Sequence, residues 1–222
     1  EWVCRDRDGN PMTSSRSLSP GLEEVRQYTT NVAMEIVNNY DLDGLHLDYV
    51  RWNEYSSNSL QILPAGQIEE INMLDGAIHP ETLYQLENSR TGRYLYDVDH
   101  PYSNGVPEGF SSWEDWWRNS VTTFVNTLHD SIQINKPHVR LSAAVLGRYN
   151  WGGWQGYETV YQDGALWFNN GFIDQLTPMH YHWTTANGFS QMLQGSNESW
   201  LPHIQEGVLA GRLFTVGPGS YI

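Results

Sequence analysis

The sequence predicts an α/β protein, a partial (β/α) TIM-type barrel with about five of the usual eight strands. Strand-like and helix-like segments alternate along the chain, and this order is typical of a parallel sheet with right-handed crossovers. The chain has 222 residues, whereas a complete barrel needs about 250. We therefore expect one barrel domain over residues 1–222, or a fragment of one, with a long inserted loop at 53–111. Because the chain begins Glu1-Trp2-Val3, we expect a processed or truncated piece.

The first half of the chain supplies two strands and one helix to this prediction. Residues 1–4 are apolar and strand-like. A helix is predicted to begin with Ser19 as N-cap and Pro20 at its first position, because apolar residues then recur every three to four positions up to Tyr40. Residues 42–50 are too short and too rich in β-forming residues for a helix, so we expect a buried strand there.

The second half continues the alternation. A capping box beginning at Ser112 predicts a helix that ends at Lys136-Pro137. Gly171 is expected to terminate a later helix. The remaining predicted elements are a strand at 138–145, a helix at 157–170, a strand at 172–181, helices at 189–193 and 200–209, and a strand at 213–216.

Composition excludes several classes of function. The net charge of −14 repels phosphate backbones and anionic lipid, so we expect no nucleic-acid partner, while a neutral or cationic substrate is compatible. The sequence contains no apolar stretch of membrane-spanning length, and its mean hydropathy is −0.53, so we expect no membrane insertion. Ten tryptophans and thirteen tyrosines indicate either a large aromatic core or stacking platforms for sugar rings.

Asp48 is the first candidate for chemistry. In parallel α/β folds the active site lies at the carboxyl ends of the strands. Side chains alternate between the two faces of a strand, so Leu45, Leu47 and Tyr49 are predicted to face helices. His46 and Asp48 then face the barrel axis, with Asp48 near the end of the strand. A structural Asp, bonded to the backbone or to an Arg, is the alternative interpretation.

At this strand the sequence resembles a known family. Residues 40–52, YDLDGLHLDYVRW, resemble the Y-D-x-D-G-[IL]-H-x-D-Y-[IV]-R-[YF] signature of the glycosyl hydrolase-like 10 family. The helix start at 19–26, the W-E-D-W-W-R helix at 113–118, the strand at 141–145 and the block at 161–181 are similar to further family motifs, in the same order. Met179 stands where the family has Gln. A likeness to family 18 chitinases is weaker, because Val50 replaces their catalytic Glu.

The resemblance implies a TIM-barrel glycoside hydrolase, of a kind that in some members acts on bacterial cell-wall glycan. It implies an oligosaccharide or polysaccharide substrate, no cofactor, and a secreted, periplasmic or cell-envelope location. Glycoside hydrolysis usually needs two carboxyl groups, and Asp48 is predicted to be one of them. Glu54 is the preferred second group. Glu108, Glu114 and a carboxylate on a strand outside this chain remain alternatives.

Substrate contacts are predicted from residue type and position. Tryptophans offer apolar faces to sugar rings, and arginine, histidine and tyrosine offer polar contacts to hydroxyl groups. Arg51 lies close enough in sequence to pair with Asp48, in a catalytic or a purely structural ion pair. Trp113 and Trp167, by contrast, are expected on the core faces of helices. The predicted substrate-binding set is His46, Arg51, Trp52, Trp117, Arg118, Trp151, Tyr181 and Trp183.

Two other classes of function remain open. His180 and His182, with His46 and Asp48, have the ligand types of a zinc hydrolase, although the family resemblance gives no reason for a metal. A non-catalytic glycan-binding barrel is the other alternative, since a fold does not determine a function. The oligomeric state is not predicted, but a sheet with unpaired edges would favour association.

Overall fold

The computed structural model describes residues 1–13, 16–52, 93–151, 155–181, 183–195 and 199–219. These residues form a mixed α/β architecture. In chain order the helices and strands are α1 Glu23–Asn39, β1 Gly44–Leu47, α2 Trp113–Asn135, β2 Arg140–Leu146, α3 Gly156–Thr159, α4 Gly164–Asn170, β3 Gln175–His180, α5 Ala186–Leu193, α6 Gln205–Leu209, β4 Leu213–Phe214 and β5 Gly217–Pro218. Short 3-10 helices occupy Tyr102–Asn104 and Leu201–His203. No helix in the described ranges combines the length and apolar character needed to cross a bilayer.

The sheet is parallel and has the strand order β1-β2-β3-β4, with β5 also paired to β3. Gln175 lies opposite Leu213 and Met179 opposite Gly217, so β4 and β5 follow the same edge of β3 in one register. They therefore act as a single strand with a short interruption. The predicted parallel α/β sheet is confirmed: about five strands were expected, and the described residues form four, or five if β4 and β5 are counted separately. The described strands do not close into a barrel.

The first predicted strand does not join this sheet. Val3 and Arg5 form isolated antiparallel bridges, Val3 with Leu18 and Arg5 with both Pro11 and Tyr96. The prediction of a sheet strand at residues 1–4 is therefore wrong. A short apolar run is poor evidence for a sheet strand, because an irregular segment that packs against the hydrophobic core has the same residue types.

Helix α1 begins four residues after the predicted N-cap. Leu22, in an extended conformation, precedes Glu23, whereas Ser19 was expected to cap. The Ser19 hydroxyl instead donates to the Asp97 carboxylate at 2.7 Å and accepts from the Gly21 N–H at 3.1 Å. Because this buried hydroxyl is already used in tertiary bonds, the helix begins without a side-chain cap.

The predicted alternation along β1 is confirmed up to the end of the strand. Leu45 and Leu47 pack against the hydrophobic core, and His46 lies on the opposite face. The prediction for Tyr49 is wrong, because this side chain is 66% exposed. The strand ends at Leu47, and Tyr49 has a left-handed backbone with φ of 54°. That turn ends the alternation and brings Val50 into the core instead.

The core lies between the sheet and the helices. Strand β2 contributes Leu141, Ala143 and Val145, and α2 packs its apolar face against them. Trp113 and Trp167 are buried, so their predicted core positions are confirmed. The predicted N-cap of α2 is also confirmed, because the Ser112 side chain accepts from the Asp115 N–H. Burial of aromatic and aliphatic side chains on this scale is the main source of the stability of the fold.

The insertion is only partly described. Residues 53–92, and with them Glu54, lie outside the described residues. The segment that follows is buried at Tyr94, Leu95, Tyr96 and Asp97. This part of the predicted loop therefore contributes to the core.

The predicted helix at 157–170 is two helices. Helix α3 ends at Thr159 and α4 begins at Gly164. Between them Tyr161 has a φ of 56°, and the Asp163 carboxylate caps α4 by accepting from the Leu166 N–H at 3.1 Å. Gly171 ends α4 in the left-handed conformation, as predicted.

Candidate functional site

The carboxyl ends of the parallel strands lie at one edge of the sheet. Five residues of interest lie within three positions of these strand ends. Asp48 follows β1, Gly147 and Arg148 follow β2, and Tyr181 and Trp183 follow β3. Neighbouring strands lie about 4.8 Å apart, so β1 and β3 are separated laterally by roughly 10 Å. The register places Leu47, the end of β1, level with Leu176, four residues before the end of β3. Ligands of parallel α/β proteins bind at this edge.

Asp48 is exposed at this edge. Its carboxylate accepts a hydrogen bond of 2.8 Å from the backbone N–H of Tyr49, the residue with the left-handed backbone. That bond orients the side chain without burying it. The carboxylate is therefore accessible to a substrate and has no large desolvation cost to offset.

His46 continues the polar face of the sheet toward the amino end of β1. Its Nδ1 atom lies 2.8 Å from the Ser142 hydroxyl, and the two residues are register partners on β1 and β2. On the same face, the Gln175 amide donates to the hydroxyl groups of Thr177 and Thr215 at 3.3 and 3.1 Å. A polar stripe thus runs across the sheet below Asp48.

Arg51 interacts with an aromatic ring beside the site. Its guanidinium carbon lies 4.5 Å from the centroid of the Tyr49 ring, a typical cation–π distance. Together with Arg26 on α1, these residues line a cavity of about 140 Å³ between α1, α2 and the end of β1. This volume is small for a sugar site, because ligand pockets usually measure about 300–1,000 Å³.

Trp52 and Trp117, both predicted to contact sugar, lie in the core. Their relative exposures are 0% and 1%. The Trp52 indole N–H donates to the Trp117 carbonyl at 2.8 Å, and the Trp117 indole N–H donates to the Leu95 carbonyl at 2.6 Å. A sugar needs an open ring face, and neither ring offers one. The assignment of Trp52 and Trp117 to the substrate site is therefore wrong. Both are core residues, and their indole N–H groups are hydrogen-bonded within the protein.

Trp151 and Arg118 are also engaged within the protein. Trp151 is buried and stacks on His203 at a centroid distance of 6.5 Å. The Arg118 guanidinium pairs with Asp115 at 2.8 Å and lies 4.1 Å over the ring of Tyr157. The Arg118 contacts connect α2 to α3, and the stacking of Trp151 connects the loop after β2 to the 3-10 helix at Leu201–His203.

Tyr181 and Trp183 reach the surface at the end of β3. Tyr181 is 38% exposed, and Trp183 is half-buried and lines a groove of about 540 Å³ beside α5. His180, the last residue of β3, is buried with its ring edge-on to Trp183 at 5.2 Å. Within the described residues, neither ring nitrogen of His180 has a hydrogen-bond partner. Burial lowers the pKa of His180 to about 4, so the imidazole is neutral at neutral pH.

The geometry does not support a metal site shared by the two described histidines. His180 lies on the core face of the sheet with Leu176, whereas His46 lies on the opposite face. His182 is outside the described residues. In the described part of the chain, no group of three or more His, Cys, Asp and Glu residues is placed to hold a metal ion.

Asp97 is a buried carboxylate with a structural role. It accepts hydrogen bonds from the Ser19 hydroxyl at 2.7 Å, from His100 Nδ1 at 2.8 Å and from the His100 backbone N–H at 2.8 Å. Burial raises the pKa of Asp97, but the bonds from His100 and Ser19 outweigh burial and the pKa is lowered. These bonds tie the start of α1 to the segment before α2.

Sequence reasoning missed two residues at this edge. Arg148 is exposed directly after β2, and its position just past the predicted strand is the signal that identifies it. Gln162 is buried; its side chain accepts from the Leu146 N–H at 2.9 Å and donates to the carbonyls of Val50 and Ala144 at 3.1 and 3.3 Å. No pattern in the sequence marks Gln162, because glutamine is equally common on the exposed face of a helix.

Comparison with known proteins places the chain in a family. The Glycosyl hydrolase-like 10 family matches residues 7–210. The glycosyl hydrolase YngK of Bacillus subtilis is 22% identical over 173 residues, which cover 73% of this chain and 27% of that protein. The glycosyl hydrolase DigH of Escherichia coli K12 is 21% identical over 174 residues, covering 74% and 31%.

A third relative, the S-layer-related protein of Niallia circulans, is 24% identical over 232 residues, covering 97% of this chain and 13% of that protein. The chain thus spans about a third or less of the length of these curated relatives. The family match extends over most of the chain, from the loop before α1 to the end of α6. The chain belongs to the Glycosyl hydrolase-like 10 family.

Proposed function

We propose that this chain forms part of the catalytic domain of a glycoside hydrolase that cleaves a polysaccharide or a bacterial cell-wall glycan. The observation that carries the proposal is the exposed Asp48 carboxylate at the carboxyl end of β1. Membership in a glycosyl hydrolase-like family, with relatives named glycosyl hydrolases, supports the reaction class. A cell-envelope or extracellular location fits such a substrate.

The parallel sheet is proposed to be part of a TIM-type barrel. Leu45 and Leu47 already face the helix-covered core, so His46 and Asp48 would face the barrel axis. In characterised barrels of this type, catalytic residues lie at the carboxyl ends of the strands. The position of Asp48 therefore agrees with the location of active sites in this fold.

Asp48 is proposed to act on the anomeric centre of the substrate. As a nucleophile it would form a glycosyl-enzyme bond, and as a base it would activate a water molecule; in both cases a second carboxyl group protonates the leaving oxygen. Glu54, six residues further along the chain, remains the preferred second group. The separation of the two carboxyl groups would decide the stereochemical outcome, at about 5 Å for retention and about 6.5–9.5 Å for inversion.

Substrate contacts are proposed from exposed and half-buried residues near the same edge. Tyr181 offers a hydroxyl group and Trp183 a ring face at the end of β3, and Arg51 and Arg148 offer guanidinium groups nearer β1 and β2. Because β1 and β3 lie roughly 10 Å apart laterally and β3 extends four residues beyond the level of Leu47, one substrate that contacts both strand ends is a chain of several sugar units.

The reaction class is tested by incubating the protein with purified peptidoglycan glycan strands and with a panel of neutral polysaccharides. New reducing ends and the masses of the released products are measured. We expect soluble oligosaccharides from at least one substrate. Binding without release would support the non-catalytic glycan-binding alternative, and neither binding nor release with any glycan would overturn the proposal.

A further inference from the structure

The groove between Trp183 and α5 has the composition of a sugar subsite. It measures about 540 Å³, which is within the usual volume of a ligand pocket. The loop at 183–185 and one face of α5 line it. None of the described residues that line it carries a charge, although the chain has a net charge of −14. An uncharged surface in a strongly acidic protein suits a neutral ligand and offers an anion no partner.

Gly147 determines where the Trp183 ring lies. A Cβ atom at position 147 would lie 2.5 Å from the Met179 carbonyl oxygen and 2.7 Å from Cζ3 of Trp183. Both distances are shorter than any van der Waals contact, so only glycine permits this approach. On the other side, the buried His180 ring supports the indole edge-on. The ring is thus fixed by backbone and core, which reduces the entropy lost when a ligand stacks on it.

Polar groups accompany the aromatic ring. The Thr185 hydroxyl caps α5 by accepting from the Gly188 N–H at 3.1 Å, which fixes its position and leaves its O–H hydrogen to donate. Ser190 and Gln194 line the groove and lie four residues apart, on one face of the helix. An apolar ring face with hydroxyl and amide groups beside it matches a pyranose, which has an apolar C–H face and a rim of hydroxyl groups.

We propose that this groove binds one neutral pyranose unit of a glycan chain, with Trp183 as the stacking platform and Gly147 as the residue that positions it. The inference rests on the proposed function and deepens it, because the groove lies two strands from Asp48. A unit bound here belongs to the same chain as the bond cleaved near Asp48, but is not itself the reacting sugar.

The test follows Trp183 directly by ¹⁹F NMR of protein labelled with 5-fluorotryptophan. The Trp183 resonance is assigned with Trp183→Phe, and the probes are cellotetraose, maltotetraose, chitotetraose and the acidic tetragalacturonate. We expect at least one neutral tetrasaccharide to shift the Trp183 resonance saturably, and tetragalacturonate to bind at least about tenfold more weakly. Trp183→Ala should weaken the neutral sugar at least about tenfold, while Trp183→Phe retains most of the affinity.

Gly147→Ala should move the Trp183 resonance in the free protein and weaken binding. In the control Gly217→Ala the added Cβ atom meets the Pro178 carbonyl oxygen at 3.2 Å, a tight contact, but none of its three nearest atoms belongs to Trp183, so the Trp183 resonance should stay in place. Thermal melting confirms that each variant is folded. A Trp183 resonance that no neutral tetrasaccharide moves would overturn the groove as a sugar site.

Asp48→Asn separates the two proposals, because binding at Trp183 should survive in this variant while hydrolysis is lost. Binding without any hydrolysis by the parent protein would retain the groove and reject the enzyme.

Discussion

Gln162 links the loop after Asp48 to the end of β2. Its one side chain makes three hydrogen bonds with main-chain groups, at Val50, Ala144 and Leu146. All of these groups are buried, so no water replaces the amide when it is removed. The residue therefore stabilises the fold and also positions the backbone that carries the candidate carboxylate.

Gln162→Leu keeps the volume of the side chain but leaves these three main-chain groups without their partner. Each unsatisfied buried group costs about 1–3 kcal/mol, so for three groups we expect the free energy of unfolding to fall by at least about 3 kcal/mol. Urea unfolding measures this loss. Gln27→Leu, at an exposed position on α1, is the matched control and should change stability little. A loss below about 0.5 kcal/mol at position 162 would contradict the role given to this side chain.

His180 should make stability depend on pH. Its pKa is lowered in the folded protein to about 4, below the ordinary value of about 6.5. The unfolded chain then binds the proton more readily, so the contribution of His180 is present above pH 6.5 and is lost as the pH falls toward 4. Between pH 7.5 and pH 5 the loss amounts to about 2 kcal/mol.

His180→Phe keeps an aromatic ring and removes the titration. Urea unfolding at pH 7.5 and pH 5 should show a loss in the parent protein that is about 2 kcal/mol larger than in this variant. His138→Phe, at an exposed site, should behave like the parent. Equal pH dependence in His180→Phe and the parent would show that the imidazole is not buried in this way.

At the residue scale, the sequence predicted which face of a strand a side chain occupies better than it predicted whether that side chain is exposed to solvent. Leu45 and Leu47 face the core as expected, because alternation follows from strand geometry alone. Tyr49 does not, because its left-handed backbone depends on tertiary contacts that no local pattern records. Trp52 and Trp117 show the same limit. A tryptophan near a strand end has the same sequence context in a core as in a sugar site.

At the element scale, α2 contributes a long apolar face to the core. It is 23 residues long and buries eight of them. Its length and N-cap were predicted correctly, because its apolar period is continuous and its capping box is local. Helices α3 and α4 were predicted as one, because their separation depends on the distant bonds of Gln162 and on the cap formed by Asp163.

Leu128→Ala on α2 should be strongly destabilising. This side chain is fully buried, and removing its methyl groups leaves a cavity that costs about 2–5 kcal/mol. Leu209→Ala at the end of α6 is the control, since Leu209 is exposed and should lose under about 0.5 kcal/mol. Chemical denaturation of the two variants compares the same substitution at both sites. Similar stabilities would contradict the packing of α2 against the sheet.

At the scale of the whole molecule, the parallel sheet determines where function can lie. Its carboxyl edge gathers Asp48, Arg148, Tyr181 and Trp183 from three strands that are distant in sequence. The order of strands and helices was enough to predict this edge, because parallel strands all point the same way. The second carboxyl group could not be placed by this rule, since Glu54 lies beyond the end of a strand, where the geometry of the sheet no longer constrains the chain.

The most direct test compares Asp48→Asn with Asp43→Asn. Both carboxylates are exposed and flank β1, at its carboxyl and amino ends respectively, and each change removes one charge while keeping size and hydrogen-bonding capacity. The measurement is kcat/KM for glycan hydrolysis by the two variants and the parent protein, with thermal melting of each. We predict that Asp48→Asn lowers kcat/KM by ~10²–10⁴-fold, that Asp43→Asn changes it less than about twofold, and that neither alters melting appreciably. Hydrolysis by Asp48→Asn at the rate of the parent protein would contradict the account, because it would remove the carboxyl end of β1 from the reaction.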